Sequence, residues 1–346
     1  MRIAIATDAW RPQVNGVVTT LGHIRDELER MGHEVLMITP EGRRSVPCPT
    51  YPEIRLAFFQ RRRIARELAA FRPDCIHIAT EGPLGLATRA CCRRLKVPFT
   101  TSYHTRFAEY VRARAPIPLA WSYAFLRWFH GGAERTLVPT AAVKKELGQR
   151  RVRNVCLWTR GVDTRVFNAE NRIHYDLPRP IWINVGRVSV EKNIAAFLAL
   201  DLPGSKVIVG DGPDREKLEQ QYPDCYFAGY RFGADLAAHL AGADVFVFPS
   251  LTDTFGLVML EAMACGLPVA AFPVTGPIDV VQQGITGVMR DDLAQACRSA
   301  LFVKPATCRR YAETRSWRSS AEEFLEQLSP TREAVADRGS VGRAYP

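Results

Sequence analysis

Residues Ala243–Phe272 read ADVFVFPSLTDTFGLVMLEAMACGLPVAAF, and this stretch decides the fold. It opens on an apolar, β-rich run, Val245–Phe248, and passes through the polar segment Ser250–Thr254. From Phe255 the apolar residues fall at helical spacing (Leu257, Met259, Leu260, Met263), and Val269–Phe272 is a second β-rich run. Strand, helix and strand in succession, with the strands apolar throughout, is the unit of a parallel sheet covered on both faces. Gly256 permits close approach to backbone amides at the helix start, where an anionic oxygen would sit. Asp253 and Glu261 stand eight residues apart, one just before the helix and one about two turns into it. Taken alone, the pair has a plainer reading: Asp253 caps the helix and Glu261 lies on the surface. The rest of the chain decides between the two.

The same alternation repeats along the whole sequence. Strand candidates in the first half are Ile3–Thr7, Val35–Thr39, Cys75–Ala79, Phe99–Tyr103 and Thr136–Pro139, separated by helical patterns such as Val18–Met31 and Pro83–Leu95. In the second half they are Ile181–Val185, Lys206–Val209, Cys225–Phe227, Val245–Phe248 and Val269–Phe272, with helices over Asn193–Leu200, Arg215–Gln221, Asp235–Leu240 and Phe255–Cys265. Ten such strands exceed one ordinary sheet of this kind, so an α/β fold of two doubly wound domains is expected. The first spans 1–165 and the second 175–310, with the junction in the polar stretch Asp163–Pro180. Residues 311–328 are expected to form a closing helix, its apolar part at Trp317–Leu328, and the charged tail 329–346 to be disordered.

Composition narrows the function classes. The chain has 346 residues, 47% of them apolar, which suits two globular domains with their own cores. No apolar run reaches the roughly 18 to 20 residues of a membrane span. Met1–Thr7 is too short for a signal peptide and reads as a first strand. Nine scattered cysteines without a C-x-x-C indicate neither zinc nor a disulfide framework, so a reducing cytoplasm is the expected compartment. Residues 1–150 hold 24 Lys+Arg against 13 Asp+Glu, while the remainder holds 22 against 23. All the basic excess therefore lies in the first half, visibly in Arg43-Arg44, Arg61-Arg62-Arg63, Arg93-Arg94 and Lys96. Such asymmetry suits an anionic surface, either acidic lipid or nucleic acid, although a genome rich in arginine codons would produce it too.

Parallel sheets place ligands at the carboxyl ends of their strands, which ranks the loops. These are Asp8–Gly16, His104-Thr105-Arg106, Gly186–Lys192, Gly210–Pro213, Gly229-Tyr230-Arg231 and the loop holding Asp253. Arg187 and Lys192, five residues apart at a helix entrance, suit a diphosphate: a bidentate guanidinium and a point charge. Their plainer alternative is a surface ion pair with Glu191. Gly16, before a helix, offers backbone amides to a phosphate. His104 stands at a strand end beside Arg106, either as a structural histidine or in a cleft. Neither G-x-G-x-x-G nor G-x4-G-K-[ST] occurs, which removes support for dinucleotide binding and ATP hydrolysis.

Together the PQVNGVV loop, SYHT, VGR-x4-K, VGDGP and D-x7-E followed by AMACGLPV resemble the retaining glycosyltransferases of family 4 over roughly residues 1–325. That resemblance implies the GT-B architecture, two Rossmann-like domains facing across a cleft. It implies that Gly16, Arg187 and Lys192 lie against the diphosphate of a UDP- or GDP-sugar. Asp253, with the amides of Phe255 and Gly256, would hold the donor sugar, and Glu261 the ribose. His104 would lie near the anomeric carbon, and Gly229, Tyr230 and Arg231 near the base. The first acid of the pair is commonly Glu in the family. Asp in that place is similar to the subset that transfers sugars to lipids, including sulfoquinovosyl- and mannosyltransferase relatives.

The chemistry suits these residue types. Cleaving a sugar–phosphate bond builds negative charge on the diphosphate, which Arg187, Lys192 and helix-start amides would stabilise. No acidic D-x-D cluster is present to hold Mg²⁺, so no metal and no cofactor beyond the donor itself is expected. The family implies retention of α configuration, with a donor phosphate oxygen taking the acceptor's proton. Ala115–His130 (APIPLAWSYAFLRWFH) gathers aromatics beside Arg112, Arg114 and Arg127, which suits a membrane interface or an ordinary buried helix. The expected activity is transfer of a hexose to a membrane lipid such as diacylglycerol, at the inner face of a membrane. The alternatives are a soluble or polysaccharide acceptor, a non-catalytic sugar-nucleotide sensor, and a basic nucleic-acid-binding protein. No recognition motif or stacking platform supports the last.

Overall fold

The computed structural model describes residues 1–48, 51–106, 108–109, 112 and 117–331. The chain divides into two compact units, Met1–Thr159 with Arg318 onward, and Arg160–Trp317. The Asp163–Pro180 stretch expected at the junction lies within the second unit.

The first unit is built on β1 (Arg2–Ala6), β2 (Glu34–Ile38), β5 (Cys75–Ile78), β6 (Thr100–Ser102), β7 (Arg135–Val138) and β8 (Val155–Leu157), with a separate hairpin of β3 (Val46–Cys48) and β4 (Tyr51–Leu56). Its sheet runs β2-β1-β5-β6-β7-β8, every pairing parallel. The second unit repeats the plan with β9 (Ile181–Val185), β10 (Ser205–Val209), β11 (Tyr226–Gly229), β12 (Val245–Phe248), β13 (Val269–Ala271) and β14 (Gly287–Met289), in the order β11-β10-β9-β12-β13-β14. Each sheet reverses its strand order once, between β1 and β5 and between β9 and β12. Those are the switch points at which doubly wound sheets receive ligands.

The central strands are apolar on both faces because helices cover both. All four residues of β5 and all four of β12 are buried. The ten strands expected from sequence are present. The four it missed are the hairpin and the two short sheet edges β8 and β14. The hairpin strands carry Pro47 and Pro52, which argue against a strand when read in isolation.

The expected closing helix 311–328 is two helices, Pro305–Glu313 and Trp317–Gln327. The first packs Cys308 and Ala312 into the second unit's core, and the chain then returns to the first unit. There Trp158, fully buried, donates its indole N–H to the Ser320 carbonyl (3.0 Å) and meets the Phe324 ring at 4.9 Å. The Thr159 amide and hydroxyl donate to the Glu323 carboxylate (2.9 and 2.8 Å). The tail does not begin where composition placed it. Thr331 is buried and donates its hydroxyl to the Pro73 and Asp74 carbonyls, while residues 332–346 lie outside the described residues.

Candidate active site

In the second unit the loops at the carboxyl ends of β9, β10 and β11 are locked together through glycine backbone. A Cβ on Gly210 would lie 1.8 Å from the Gly186 carbonyl oxygen, and one on Gly212 would lie 2.4 Å from that of Val188. The Val188 amide donates to Asp211 (2.9 Å) and the Gly210 amide to Gly229 (2.9 Å). This close stacking requires Gly at 210 and 212. It holds half-buried Arg187 and the Val190–Lys192 3-10 turn directly after β9. Asn193 ends that turn in the left-handed region (φ 54°) and donates its side-chain amide to the Pro249 carbonyl (3.0 Å), fastening the turn to the end of β12.

Across that switch point Lys192 meets Asp253. Its ammonium lies 2.6 and 2.9 Å from the two carboxylate oxygens. Lys192 thus pairs with Asp253, and the plainer reading of Asp253 as the helix cap is corrected. Gly256 is the N-cap of helix Leu257–Ala264, in the left-handed region (φ 83°) and with no side-chain cap bond. A Cβ there would come within 2.8 Å of the Phe248 and Met259 side chains, so this packing leaves room only for glycine. Phe255 and Gly256 precede the first helical turn, whose amides no side chain caps.

Glu261 is not a surface residue. It is half-buried, and among the described residues no hydrogen bond or ion pair engages its carboxyl. Burial alone pushes that carboxyl up to about 7. An acid on the edge of ionising at neutral pH suits a ligand that brings its own hydrogen-bond donors.

Gly229 stands at φ 73°, with Arg215 reaching over it. Arg215 is itself fixed by Asp211 (3.0 Å) and Glu219 (2.9 Å). Tyr230 and Phe232, both exposed, stack with centroids 5.8 Å apart and planes 19° apart. Phe232 was not singled out from sequence. Its only signal is an aromatic two residues beyond another, past a glycine. Arg231 turns back to His239 (Nε to Nε2, 3.2 Å) and Asp235 (3.4 Å). Burial pushes the His239 imidazole below its usual range, so it accepts from the guanidinium as a neutral ring.

In the first unit Gly16 opens helix Gly16–Arg30 and is exposed. The amides it was expected to offer are partly taken, since Asn15 accepts from Val17 and Val18 (both 3.0 Å). His104 follows β6, half-buried, with Nε2 2.8 Å from the Ser102 hydroxyl and its ring edge-on to Trp158. Arg106 beside it pairs with Glu146. Asp8, missed from sequence as a single residue, is buried after β1 at that sheet's switch point. Burial pushes its carboxyl up, opposed by bonds from the Leu84 and Gly85 amides and the Thr80 hydroxyl.

Comparison with known proteins identifies the family. Residues 14–166 match the family described as Glycosyltransferase Family 4, and residues 179–301 that described as Glycosyl transferases group 1. The chain is 36% identical over 319 residues to a GDP-mannose-dependent alpha-mannosyltransferase of Mycolicibacterium smegmatis, covering 84% of each. It is 35% identical over 298 residues to the sulfoquinovosyl transferase SQD2 of Arabidopsis thaliana, covering 76% of this chain and 58% of that protein's length. An alpha-monoglucosyldiacylglycerol synthase of Streptococcus pneumoniae is 26% identical over 372 residues, covering 95% of this chain and 84% of the synthase. Among solved structures, sucrose-phosphate synthase of Thermosynechococcus elongatus superposes with a TM-score of 0.73 at 21% identity, covering 97% of this chain and 99% of that one. Two parallel-sheet Rossmann-like domains with these relatives are of the GT-B class, and the chain belongs to glycosyltransferase family 4.

Proposed function

We propose that this glycosyltransferase moves a hexose from a UDP- or GDP-sugar to a membrane lipid, diacylglycerol, with retention of the α configuration. The observation that carries the donor half is the Lys192–Asp253 pair at the switch point of the second sheet. It sets a cation for the diphosphate beside a carboxylate for the sugar hydroxyls. Arg187 would share the diphosphate, and the uncapped amides around Phe255 and Gly256 would face developing negative charge. Glu261 would accept from the ribose hydroxyls, and the Gly229–Tyr230 loop would border the base. Gly16 and His104, at the family's motif positions in the first unit, would serve the diphosphate and the sugar respectively. No residue is assigned as a covalent nucleophile, and the donor phosphate oxygen would receive the acceptor's proton. No metal is assigned a role in this scheme.

Two observations support a lipid acceptor. The relatives named above include an alpha-monoglucosyldiacylglycerol synthase and a sulfoquinovosyl transferase. The first unit also carries exposed aromatics beside arginines. Phe58 and Phe59 project just before helix Arg61–Phe71, which begins with three exposed arginines against its own dipole and without a side-chain cap. Helix Leu119–His130 buries one face and exposes Trp121, Arg127 and Trp128 on the other, with Arg89 stacked under Trp128 at 3.9 Å. The exposed aromatics and arginines of both suit the interface of an anionic bilayer. Residues 113–116, including Arg114, lie outside the described residues. No described helix is long and apolar enough to cross a membrane. The test is a donor-by-acceptor panel: UDP- and GDP-hexoses with diacylglycerol vesicles or soluble sugars, read by nucleotide release and product mass. Glycolipid formation from one donor supports the reading. Transfer to soluble acceptors alone would contradict it.

A further inference from the structure

The loop that follows β11 is tied down by a hydrogen-bonded relay inside the second unit. Arg231 Nε lies 3.2 Å from His239 Nε2, and His239 Nδ1 lies 2.9 Å from the Tyr175 hydroxyl. That hydroxyl also lies 3.2 Å from the His239 carbonyl oxygen. Tyr175 and His239 are each only 6% exposed, which makes the relay part of the interior. Asp235, one turn before His239 on helix Gly233–Ala241, lies 3.4 Å from Arg231 Nε and 3.8 Å from His239 Nε2. Tyr226 on β11 stands edge-on beyond Tyr175. From its other side Arg231 donates to the Tyr230 carbonyl (3.2 Å).

The protons follow from the partners. A guanidinium only donates, so His239 Nε2 accepts and the ring proton sits on Nδ1. Nδ1–H donates to the Tyr175 oxygen, whose own proton goes to the His239 carbonyl. That carbonyl lies in the last helical turn, and the Ala243 amide that would close its helical bond goes to Leu240 instead (3.0 Å). The opposite tautomer would set N–H against N–H at Arg231 and draw the tyrosine proton away from the carbonyl. The relay also sets which way the loop's side chains point. Phe232 is extended (φ −139°, ψ 155°), and successive side chains of extended backbone alternate in direction. With Arg231 drawn in to the helix, Tyr230 and Phe232 turn the other way, where their rings stack with planes 19° apart.

We propose that His239 and Tyr175 are positioning residues: they hold Arg231 inward and so present Tyr230 and Phe232 outward as one aromatic face. That this face receives the base of the donor by stacking rests on the donor reading above. The tautomer of His239 and its hold on Arg231 do not rest on it.

The test combines long-range ¹H–¹⁵N correlation spectra of the full chain labelled with ¹⁵N-histidine and calorimetric titration of UDP, GDP and inorganic pyrophosphate. His239→Gln removes, and so assigns, the His239 signals. The expected pattern for His239 is Nδ1–H, and Arg231→Leu is expected to shift it toward Nε2–H, which then faces Asp235. His239→Leu, which fills the space without an acceptor, is expected to weaken binding of UDP or GDP about 10-fold and to leave pyrophosphate binding unchanged. His239→Gln, whose amide oxygen restores an acceptor for Arg231, is expected to recover most of that loss. The double variant His239→Leu/Arg231→Leu is expected to lose no more than Arg231→Leu alone, because the histidine acts through the arginine. If His239→Leu fails to fold, Arg231→Leu, at a half-exposed position, supplies the binding comparison. An Nε2–H pattern in the wild type, or a pattern unmoved by Arg231→Leu, overturns the relay. Nucleotide binding as tight in His239→Leu and Arg231→Leu as in the wild type overturns the positioning role. Failure of the wild type to bind either nucleotide overturns the donor reading instead, and the spectra still decide the relay, so the two failures are distinguishable.

Discussion

Lys192 Nζ lies 2.6 Å from one carboxylate oxygen of Asp253 and 2.9 Å from the other, bridging the strands between which the second sheet reverses its order. In the proposed site a donor that engages both groups must exchange this pair for two contacts of its own. The exchange predicts a change of sign. A nucleoside diphosphate without sugar engages Lys192 but gains nothing from Asp253, whose charge repels it. Asp253→Asn is therefore expected to tighten nucleoside diphosphate binding about 5-fold, corresponding to about 1 kcal/mol for a partly exposed pair. Turnover of the full donor falls in the same variant. Titration calorimetry would show it, and weaker binding of the diphosphate would contradict the exchange.

Removing the cations has the opposite effect. Arg187→Ala and Lys192→Ala are each expected to cost about 2–4 kcal/mol of transition-state stabilisation, read as kcat/KM. Near-normal turnover in both variants would remove them from the diphosphate.

If Glu261 holds the ribose as proposed, it gives the donor site a pH dependence. Its carboxyl titrates at about 7 in the folded chain, against 4.5 for an ordinary glutamate. Ribose hydroxyls donating to it favour the ionised form, so binding releases a proton below pH 7. Nucleotide affinity is expected to be full above pH 7 and to fall by up to about tenfold per unit below it. Glu261→Gln flattens this component, which separates it from titration of the nucleotide's own phosphate. Stability runs the other way. Because the folded value is raised, an unfolded chain loses this proton between pH 4.5 and 7 while the folded chain keeps it. That contribution to stability is lost as pH rises through this window. Glu261→Gln is thus expected to melt higher than wild type at pH 8 and similarly at pH 4. Equal slopes in the two proteins would contradict the assignment.

Two glycines separate backbone need from mere presence. Gly210→Ala sets a methyl 1.8 Å from the Gly186 oxygen at φ 145° and is expected to destabilise by about 3 kcal/mol or more. Gly148, exposed inside helix Ala141–Gln149, has open space around it, and Gly148→Ala is expected to stabilise by about 0.5–1 kcal/mol. Thermal and urea unfolding of both would check the contrast.

The pattern of what was legible in the sequence follows from these cases. Strands such as Val245–Phe248 announce themselves because both faces are buried and every residue is apolar. The short edges Val155–Leu157 and Gly287–Met289 have no such run and are held by a single neighbour each. Asp253 and Glu261 were visible as residue types at a spacing. That Asp253 pairs with Lys192, 61 positions away, is a product of strand order and not of local sequence. Only the resemblance places Arg231 near the base; that its guanidinium meets His239 and Asp235 on the following helix is set by the fold.

For the membrane face, vesicle sedimentation is expected to show binding that rises with anionic lipid and falls with salt, since such attraction is screened within about 10 Å at 0.1 M. Replacing Phe59 and Trp121 by Ser is expected to weaken that binding without lowering the melting temperature, both side chains being exposed. Equal binding to neutral vesicles would remove the electrostatic argument.

The central claim is a retaining transfer of hexose to lipid, and the anomeric configuration of the product tests it most directly. Purified full chain, incubated with its nucleotide-sugar donor and diacylglycerol vesicles, is predicted to yield a glycolipid whose anomeric proton coupling is that of the α-glycoside. A β-linked product, or donor cleavage to free sugar with no glycolipid, would contradict the account.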